Sequence, residues 1–177
     1  LQRLGRRHDA RQAHDAIGVA LQAGFSEVSF DLMFALPAQT LADWQGQLEQ
    51  AAEYSGVAHL SIYELTFHEG TPFGRDLAKG RIAPPGEDIA TTMMQVTRQR
   101  MEETGRRQYE VSNYAVRGHE SVHNQLYWQG AEYLGLGVGA HSMTLDRDGV
   151  ERRANTPVTA DYLAAPCEAS PTIDRVL

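Results

Sequence analysis

In the first third of the chain, apolar residues recur at steps of three and four, which is the spacing of one helix face. In HDARQAHDAIGVALQAG this spacing predicts a helix that begins with an Asp9–Gln12 capping box and ends at Gly24. A second helix is predicted after Thr40 and ends near Gly56. Its apolar face would consist of Leu41, Trp44, Leu48 and Ala51.

Two more helices are predicted further along the chain. The string EGTPFG leads into a short helix that ends near Lys79. A Pro-Pro turn then precedes a long helix from about Gly86 to Glu103, which Gly105 can terminate.

Three largely apolar runs lie between or after these helices: SEVSFDLMFAL, AHLSIYEL and QYEVSNYA. Near-continuous apolar runs are typical of strands that are covered on both faces. We expect residues 26–33, 58–64 and 107–111 to form neighbouring parallel strands. The alternation of helix and strand therefore predicts an α/β fold.

The pattern changes from about Gly118 into aromatic and glycine-rich segments, with short strands expected between residues 141 and 154. We divide the chain into residues 1–117, 118–164 and 165–177, the last being the truncated start of a further region. Because the chain opens on Leu rather than Met and stops within SPTIDRVL, we expect it to be a fragment.

The composition excludes several classes of protein. The chain has 16 Lys+Arg against 23 Asp+Glu and a net charge of −7, without a basic block, so nucleic acid is not an expected partner. No run of 18 apolar residues and no secretory signal is present, so no transmembrane segment is expected. The single cysteine, Cys167, excludes an internal disulfide and favours a reducing, cytoplasmic location.

A carboxylate interrupts the first apolar run. Asp31 lies in SFDLMF, near the predicted carboxyl end of a strand, which is where ligands bind in parallel α/β folds. A charged group in apolar surroundings needs hydrogen-bond donors. Hydroxyl or ammonium groups of a ligand would serve, and so would nearby backbone amides. The local sequence leaves both interpretations open.

Two short motifs admit a catalytic interpretation. HESVH, residues 119–123, matches the HExxH pattern of zinc peptidases, which requires both histidines on one helix. Gly118 precedes it and the extended xxGxxH pattern fails, so a zinc metallopeptidase is a remote alternative. GLGVGA, residues 135–140, matches GxGxxA of dinucleotide-binding folds, but HSMTL after it does not open a helix. A tight glycine-permitted backbone is the preferred interpretation.

Six strings follow one another within residues 1–164: LGRRHDA, GFSEVSFDLMFALPAQT, HLSIYELTFHEGTPF, YEVSNYA, ESVHNQLYW and YLGLGVGAHS. In this order they resemble the oxygen-independent coproporphyrinogen III oxidase-like branch of the radical S-adenosylmethionine (SAM) proteins, and within it the HemW-like heme chaperones. The resemblance implies the later part of a partial (β/α) TIM-like radical SAM barrel with a loop-rich, short-strand extension. Ala35 and Ala38 depart from the family pattern, which usually has glycine there.

The resemblance also implies cofactors. Radical SAM proteins hold a [4Fe-4S] cluster through three cysteines in CxxxCxxC, which this chain lacks, so its ligands are expected upstream of Leu1. It further implies that Arg6 binds the SAM carboxylate, that Asp31 accepts from the ribose hydroxyls, and that Met33 and Thr66 line the adenosine pocket. The structural alternatives are a surface cation for Arg6, core packing for Met33 and a turn for Thr66.

HNQLYW, residues 123–128, distinguishes two functions. The resemblance implies that His123 ligates heme iron, while Tyr127 and Trp128 offer flat apolar surface to a porphyrin. Alternatively, the three side chains stabilise a loop. We expect a heme chaperone that passes heme to acceptors such as respiratory hemoproteins. The alternative is an enzyme that decarboxylates the porphyrinogen coproporphyrinogen III, and the sequence assigns no catalytic residue.

Overall fold

The computed structural model describes residues 4–147, 149–164 and 172–176. The chain forms two compact units, the first ending at Glu120 and the second beginning at Ser121. The first unit combines helices with a mixed sheet, and the second carries a small antiparallel sheet. The α/β fold class predicted from the sequence is confirmed.

Helix α1 spans Ala10–Gln22 and begins as the sequence predicts. The Gln12 N–H donates to the Asp9 side chain at 2.8 Å, and the Asp9 N–H donates to the Gln12 side chain at 2.9 Å. Gly24 follows the helix with a φ of 86°, a left-handed conformation that glycine adopts without steric cost. The predicted capping box and the predicted end at Gly24 are confirmed.

Strand β1 spans Ser29–Phe34, and helix α2 spans Leu41–Ala52. Thr40 caps α2 through a reciprocal pair of bonds with Asp43, as the sequence predicts for the start of this helix. The helix ends before the predicted Gly56. The N–H groups of Glu53 and Tyr54 donate to carbonyls only three residues earlier, which tightens the last turn, and a further turn closed by the Val57 N–H and the Tyr54 carbonyl follows.

Strand β2 spans His59–Glu64 and pairs with β1 in parallel. In this register Asp31 lies opposite Ser61, and Met33 lies opposite Tyr63. The parallel pairing predicted for the first two strands is confirmed. Side chains that alternate along β1 therefore have defined neighbours on β2.

Helices α3, Pro72–Ala78, and α4, Glu87–Glu103, follow β2. Thr71 caps α3 by accepting from the Gly74 N–H at 3.0 Å. Gly86 occupies the N-cap of α4. Both helices agree with the sequence prediction.

The prediction of a third parallel strand is wrong. Residues 107–115 form two short strands instead, β3, Arg107–Gln108, and β4, Asn113–Ala115, and the sheet order is β1-β2-β4-β3. Strand β4 pairs antiparallel with both β2 and β3. The chain reverses between them because the Glu110 carboxylate accepts the Ser112 N–H at 2.7 Å, which stabilises a turn.

The core of the first unit lies between the sheet and helices α2 and α4. Trp44 is completely buried, and its indole N–H donates to the Thr97 hydroxyl at 2.8 Å and to the Met93 carbonyl at 3.3 Å. The remaining buried members of this cluster are Phe34, Ala35, Leu48, Leu60, Ile62, Met101 and Tyr114. This core fixes the position of β1 and of the loop that follows it.

The second unit contains helix α5, Val122–Trp128, strands β5, His141–Asp146, and β6, Gly149–Ala154, helix α6, Thr159–Ala164, and strand β7, Thr172–Val176. Its sheet has the order β5-β6-β7, and both pairings are antiparallel. The predicted short strands between residues 141 and 154 are confirmed. Within the predicted segment 165–177, residues 165–171, which include Cys167, and residue 177 lie outside the described residues.

No helix in the described part of the chain is long and apolar enough to cross a membrane.

Candidate functional site

Side chains from both faces of β1 line a cavity of about 600 Å³. Strand β1 is at the edge of the described four-stranded sheet, so Phe30 and Leu32 reach the cavity from one face while Asp31 and Met33 reach it from the other. Arg6, from the segment before α1, also lines it. Such a volume is typical of small-molecule sites. Three of the four residues expected to bind SAM thus surround one cavity.

Asp31 is exposed at this cavity and has one hydrogen-bond donor among the described side chains. The Tyr63 hydroxyl donates to Asp31 Oδ2 at 3.5 Å, which is long for an O–H···O bond. Burial raises the pKa of Tyr63, the Asp31 charge raises it further, and Arg6 opposes that rise. The Asp31 carboxylate therefore keeps most of its capacity to accept from a ligand.

Aromatic side chains form another wall of the cavity. His14 stacks on Tyr54 with ring centroids 5.4 Å apart, and Phe30 meets Tyr54 edge-on at 5.4 Å. The Tyr54 hydroxyl is buried and has no hydrogen-bond partner within the described residues. A buried polar atom of this kind is normally satisfied, so a ligand with polar groups and a planar ring would suit this wall.

The loop after β1 has two alanines in the left-handed conformation, Ala35 with a φ of 57° and Ala38 with a φ of 63°. Side chains disfavour this conformation, which glycine adopts freely. Gln39 holds the loop, because its Oε1 accepts from the Leu36 N–H at 3.1 Å and its own N–H donates to the Leu36 carbonyl at 2.9 Å. The loop therefore keeps a glycine-type backbone at the two positions where the sequence resemblance implies glycine.

Thr66 does not line the cavity that contains Arg6, Asp31 and Met33. It is exposed, two residues after the end of β2. The structure therefore brings together three of the four predicted SAM contacts and leaves the fourth elsewhere.

A buried histidine connects β1, β2 and the turn after β3. His59 Nδ1 lies 2.7 Å from Ser29 Oγ, and its Nε2 lies 2.8 Å from the Tyr109 hydroxyl. Burial lowers the pKa of His59, although the negative charges of Asp31, Glu110 and Glu27 partly oppose this. Both ring nitrogens are occupied, so His59 has a structural role in the first unit.

Helix α5 in the second unit presents the residues expected to bind heme. Ser121 caps the helix by accepting from the Asn124 N–H at 3.3 Å. His123 and Tyr127 are one helical turn apart, with their rings edge-on and centroids 4.9 Å apart. His123 is exposed and has no hydrogen bond or ion pair to a described residue, while Trp128 is 61% exposed. An unbonded, exposed imidazole beside aromatic surface is suited to ligate a metal-centred planar molecule.

The HExxH motif is not on one helix. His119 precedes α5, and its Nδ1 lies 3.0 Å from the Glu27 carboxylate, whereas His123 is within the helix. Among the described residues, no three histidine, cysteine, aspartate or glutamate side chains are grouped to hold a metal ion. The arrangement that a zinc peptidase requires is therefore not formed by these two histidines.

The glycine-rich segment turns at residues 137–139, where Gly137 and Gly139 have φ values of 105° and 67°, and side chains of later residues hold its backbone. The Gly135 N–H donates to the Ser142 hydroxyl at 2.9 Å, the Gly137 N–H donates to the Tyr162 hydroxyl at 3.2 Å, and the Asn155 side-chain amide donates to the Gly137 carbonyl at 2.7 Å. The segment runs into strand β5 rather than a helix. This agrees with the interpretation of GLGVGA as a tight backbone segment.

Two residues at the first cavity were not found from the sequence. Tyr63 lies beside Met33 in the β1–β2 register, so alternation along two paired strands would have indicated it. Tyr54 is in the turn after α2 and has no periodic signal of this kind. Its position depends on the core that orients α2.

No protein-family model matches the chain. Curated proteins with similar sequences have two kinds of name. Radical S-adenosyl methionine domain-containing protein 1, mitochondrial, from Mus musculus is 43% identical over 141 residues, which are 80% of this chain and 32% of that protein. Heme chaperone HemW from Bacillus subtilis is 36% identical over 141 residues, 80% of this chain and 37% of that protein. The chain thus spans about a third of the length of these relatives.

A solved structure agrees with the fold. Coproporphyrinogen III oxidase (HemN) from Escherichia coli, a radical SAM enzyme, superposes on this chain with a TM-score of 0.69. The matched region is 97% of this chain and 41% of the oxidase chain. The sequences are 19% identical, so this likeness concerns the fold alone. The open mixed sheet of the first unit is consistent with part of that larger fold.

Proposed function

We propose that the protein binds heme and delivers it to acceptor proteins. The basis is that this chain is homologous to part of the HemW heme chaperones and of radical SAM domain-containing protein 1. The observation that carries this proposal is helix α5, where His123 is exposed, unbonded and next to Tyr127 on one helix face. The names of several similar proteins support the same function.

In this proposal His123 would supply a nitrogen ligand to the heme iron. The neutral imidazole has a free lone pair, and no described carboxylate pairs with it. Tyr127 packs on Tyr133 with centroids 4.4 Å apart, which limits its movement beside His123. Trp128 adds exposed aromatic area for a porphyrin face.

The cavity beside β1 is the proposed SAM site. Arg6 would hold the carboxylate of SAM, Asp31 would accept from its ribose hydroxyls, and Met33 would contact its adenosine. The orphaned Tyr54 hydroxyl and the aromatic wall fit a ligand of this type. Thr66 remains a weaker candidate because it is outside the cavity. Together with a [4Fe-4S] cluster, SAM supplies radical chemistry in this superfamily, but the described residues provide no cysteine for such a cluster.

Heme binding is tested by His123→Ala in the full-length protein. We expect the Soret band of the reconstituted complex to shift or disappear, because the iron loses its nitrogen ligand. Trp128→Ala should keep the band position and weaken affinity, since it removes apolar contact rather than the coordinate bond. His119→Ala is the matched control, because that imidazole is paired with Glu27 and precedes the helix.

An unchanged Soret band in His123→Ala would refute the assignment of the iron ligand. Conversion of coproporphyrinogen III to protoporphyrinogen IX by the same wild-type preparation, under anaerobic reducing conditions, would then favour the oxidase alternative. The acceptor proteins are proposed to be hemoproteins, with respiratory enzymes as the first candidates. A cytoplasmic location is also part of the proposal, and the names of the animal relatives place those proteins in mitochondria.

A further inference from the structure

Arg106 is a buried cation without an acidic partner. Its side chain is 3% exposed, and its Nε and Nη2 donate to the Val57 carbonyl at 3.0 and 2.7 Å. Nη2 also donates to the Tyr54 carbonyl at 2.7 Å. No aspartate or glutamate within the described residues forms an ion pair with Arg106. The third guanidinium nitrogen, Nη1, donates to no atom of the described residues.

The carbonyl contacts satisfy hydrogen bonds and leave the charge in place. Burial lowers the pKa of Arg106, yet a guanidinium stays protonated in proteins. A buried charge without a counter-ion is unfavourable, so most buried arginines are paired with a carboxylate or an anionic ligand. The chain has more acidic than basic residues, with a net charge of −7, yet no described acidic side chain pairs with Arg106.

Arg106 lines a second cavity, of about 600 Å³, at the amino ends of β1 and β2. No lining residue is acidic; those around Arg106 include Ser26, Ser55, Thr104 and His119. The hydroxyls of Ser26 and Ser55 have no hydrogen-bond partner among the described residues. Among the lining residues, His119 pairs with an acidic side chain, Glu27, which does not itself line the cavity. Two free hydroxyl donors and a buried guanidinium thus share one concave surface.

We propose that this second cavity binds an oxyanion, either a carboxylate or a phosphate, whose charge pairs with Arg106. Nη1, whose two N–H donors are not used by the Val57 and Tyr54 carbonyls, can donate to one oxygen of such an anion, and serine hydroxyls can donate to the remaining oxygens. The cavity is separate from the one at β1 that contains Arg6 and Asp31, and this inference does not depend on heme binding.

The test measures the thermal midpoint of the full-length protein at constant ionic strength while sodium phosphate, or sodium acetate, replaces sodium chloride. We expect a saturable rise of the midpoint with phosphate, acetate or both, because a ligand that binds only the folded state stabilises it. Which salt produces the rise identifies the ligand chemistry. Equal midpoints in all three salts would overturn the proposal.

Three variants locate the effect without removing Arg106, whose loss could prevent folding. Ser55→Asp places a carboxylate in the cavity and should raise the midpoint in chloride and abolish the response to the oxyanion. Ser55→Asn introduces a side chain of nearly the same shape as aspartate but without its charge, so this variant should keep the response to the oxyanion. Gln95→Glu adds the same charge on the exposed side of α4 and should also keep it. A response that persists undiminished in Ser55→Asp would refute this site.

Discussion

The two left-handed alanines after β1 permit a quantitative test of the loop conformation. An L-residue in the left-handed region costs about 1 to 2 kcal/mol, whereas glycine costs about 0.5 to 1 kcal/mol through the greater freedom of its unfolded chain. At Ala38, which is exposed, the difference should make Ala38→Gly more stable by about 0.5 to 1 kcal/mol. Ala35 is 1% exposed, so Ala35→Gly also loses the burial of a methyl group, about 0.8 kcal/mol, and should change stability little.

Urea denaturation of the full-length protein measures both changes, and equal m-values permit their comparison. Ala42→Gly is the control, because Ala42 is exposed within α2, where glycine should destabilise by about 1 kcal/mol. The reasoning fails if Ala38→Gly destabilises as much as Ala42→Gly, since that would place residue 38 in an ordinary backbone conformation. It also fails if Ala35→Gly stabilises more than Ala38→Gly.

Three further outcomes are expected. Thr97→Val should lower the free energy of unfolding by about 1 to 2 kcal/mol in urea denaturation, because the buried Trp44 indole keeps only the longer bond to the Met93 carbonyl. The pKa of His59 is lowered in the folded state from its ordinary value of 6.5, so its neutral form contributes stability that is present above pH 6.5 and is lost as the pH falls below it. The thermal midpoint of His59→Gln should therefore fall less steeply than that of the wild type between about pH 6.5 and 5; parallel curves would contradict this. In the full-length protein, Asp31→Ala should weaken SAM binding by about 1 to 3 kcal/mol in calorimetry, and an unchanged affinity would remove Asp31 from the proposed site.

Local signals predicted the helices well because their ends depend on neighbouring residues. Asp9 with Gln12 and Thr40 with Asp43 form their capping bonds within four residues of sequence. The first two strands were also predictable, since a continuous apolar run between two helices has few other structures available. The helix bounds of α4 agree with the prediction for the same local reasons.

The third strand was not predictable from its apolar residues. QYEVSNYA has the composition of one strand, but the bond from the Ser112 N–H to the Glu110 carboxylate reverses the chain within it. After this reversal β4 pairs antiparallel with β2, and the Ile62 N–H donates to the Ser112 carbonyl at 2.7 Å beside that ladder. A short polar interruption had more influence on topology than the surrounding apolar pattern.

The candidate sites differ in how far sequence could identify them. Asp31 was recognisable as a charge within an apolar strand, and Tyr63 followed only from the register of two strands. Arg106 gave no signal, because one arginine near the end of a helix is ordinary in a sequence. Its burial beside the Val57 carbonyl is a property of three-dimensional packing alone.

In the glycine-rich segment, residues 134–140, the positions whose backbone is held by hydrogen bonds differ from the exposed positions in how far they can be substituted. The backbone of this segment is fixed by the Gly135 N–H, which donates to the Ser142 hydroxyl, and by the Asn155 amide, which donates to the Gly137 carbonyl. The side chains of Leu134 and Leu136 are 76% and 81% exposed and take no part in these bonds. At Gly135 a Cβ atom would lie 2.0 Å from the His141 carbonyl oxygen, so any side chain there displaces the strand. A saturation mutagenesis screen for folded protein should therefore tolerate many residues at 134 and 136 and almost none at 135. The surface of this segment can change its chemistry without any change of scaffold.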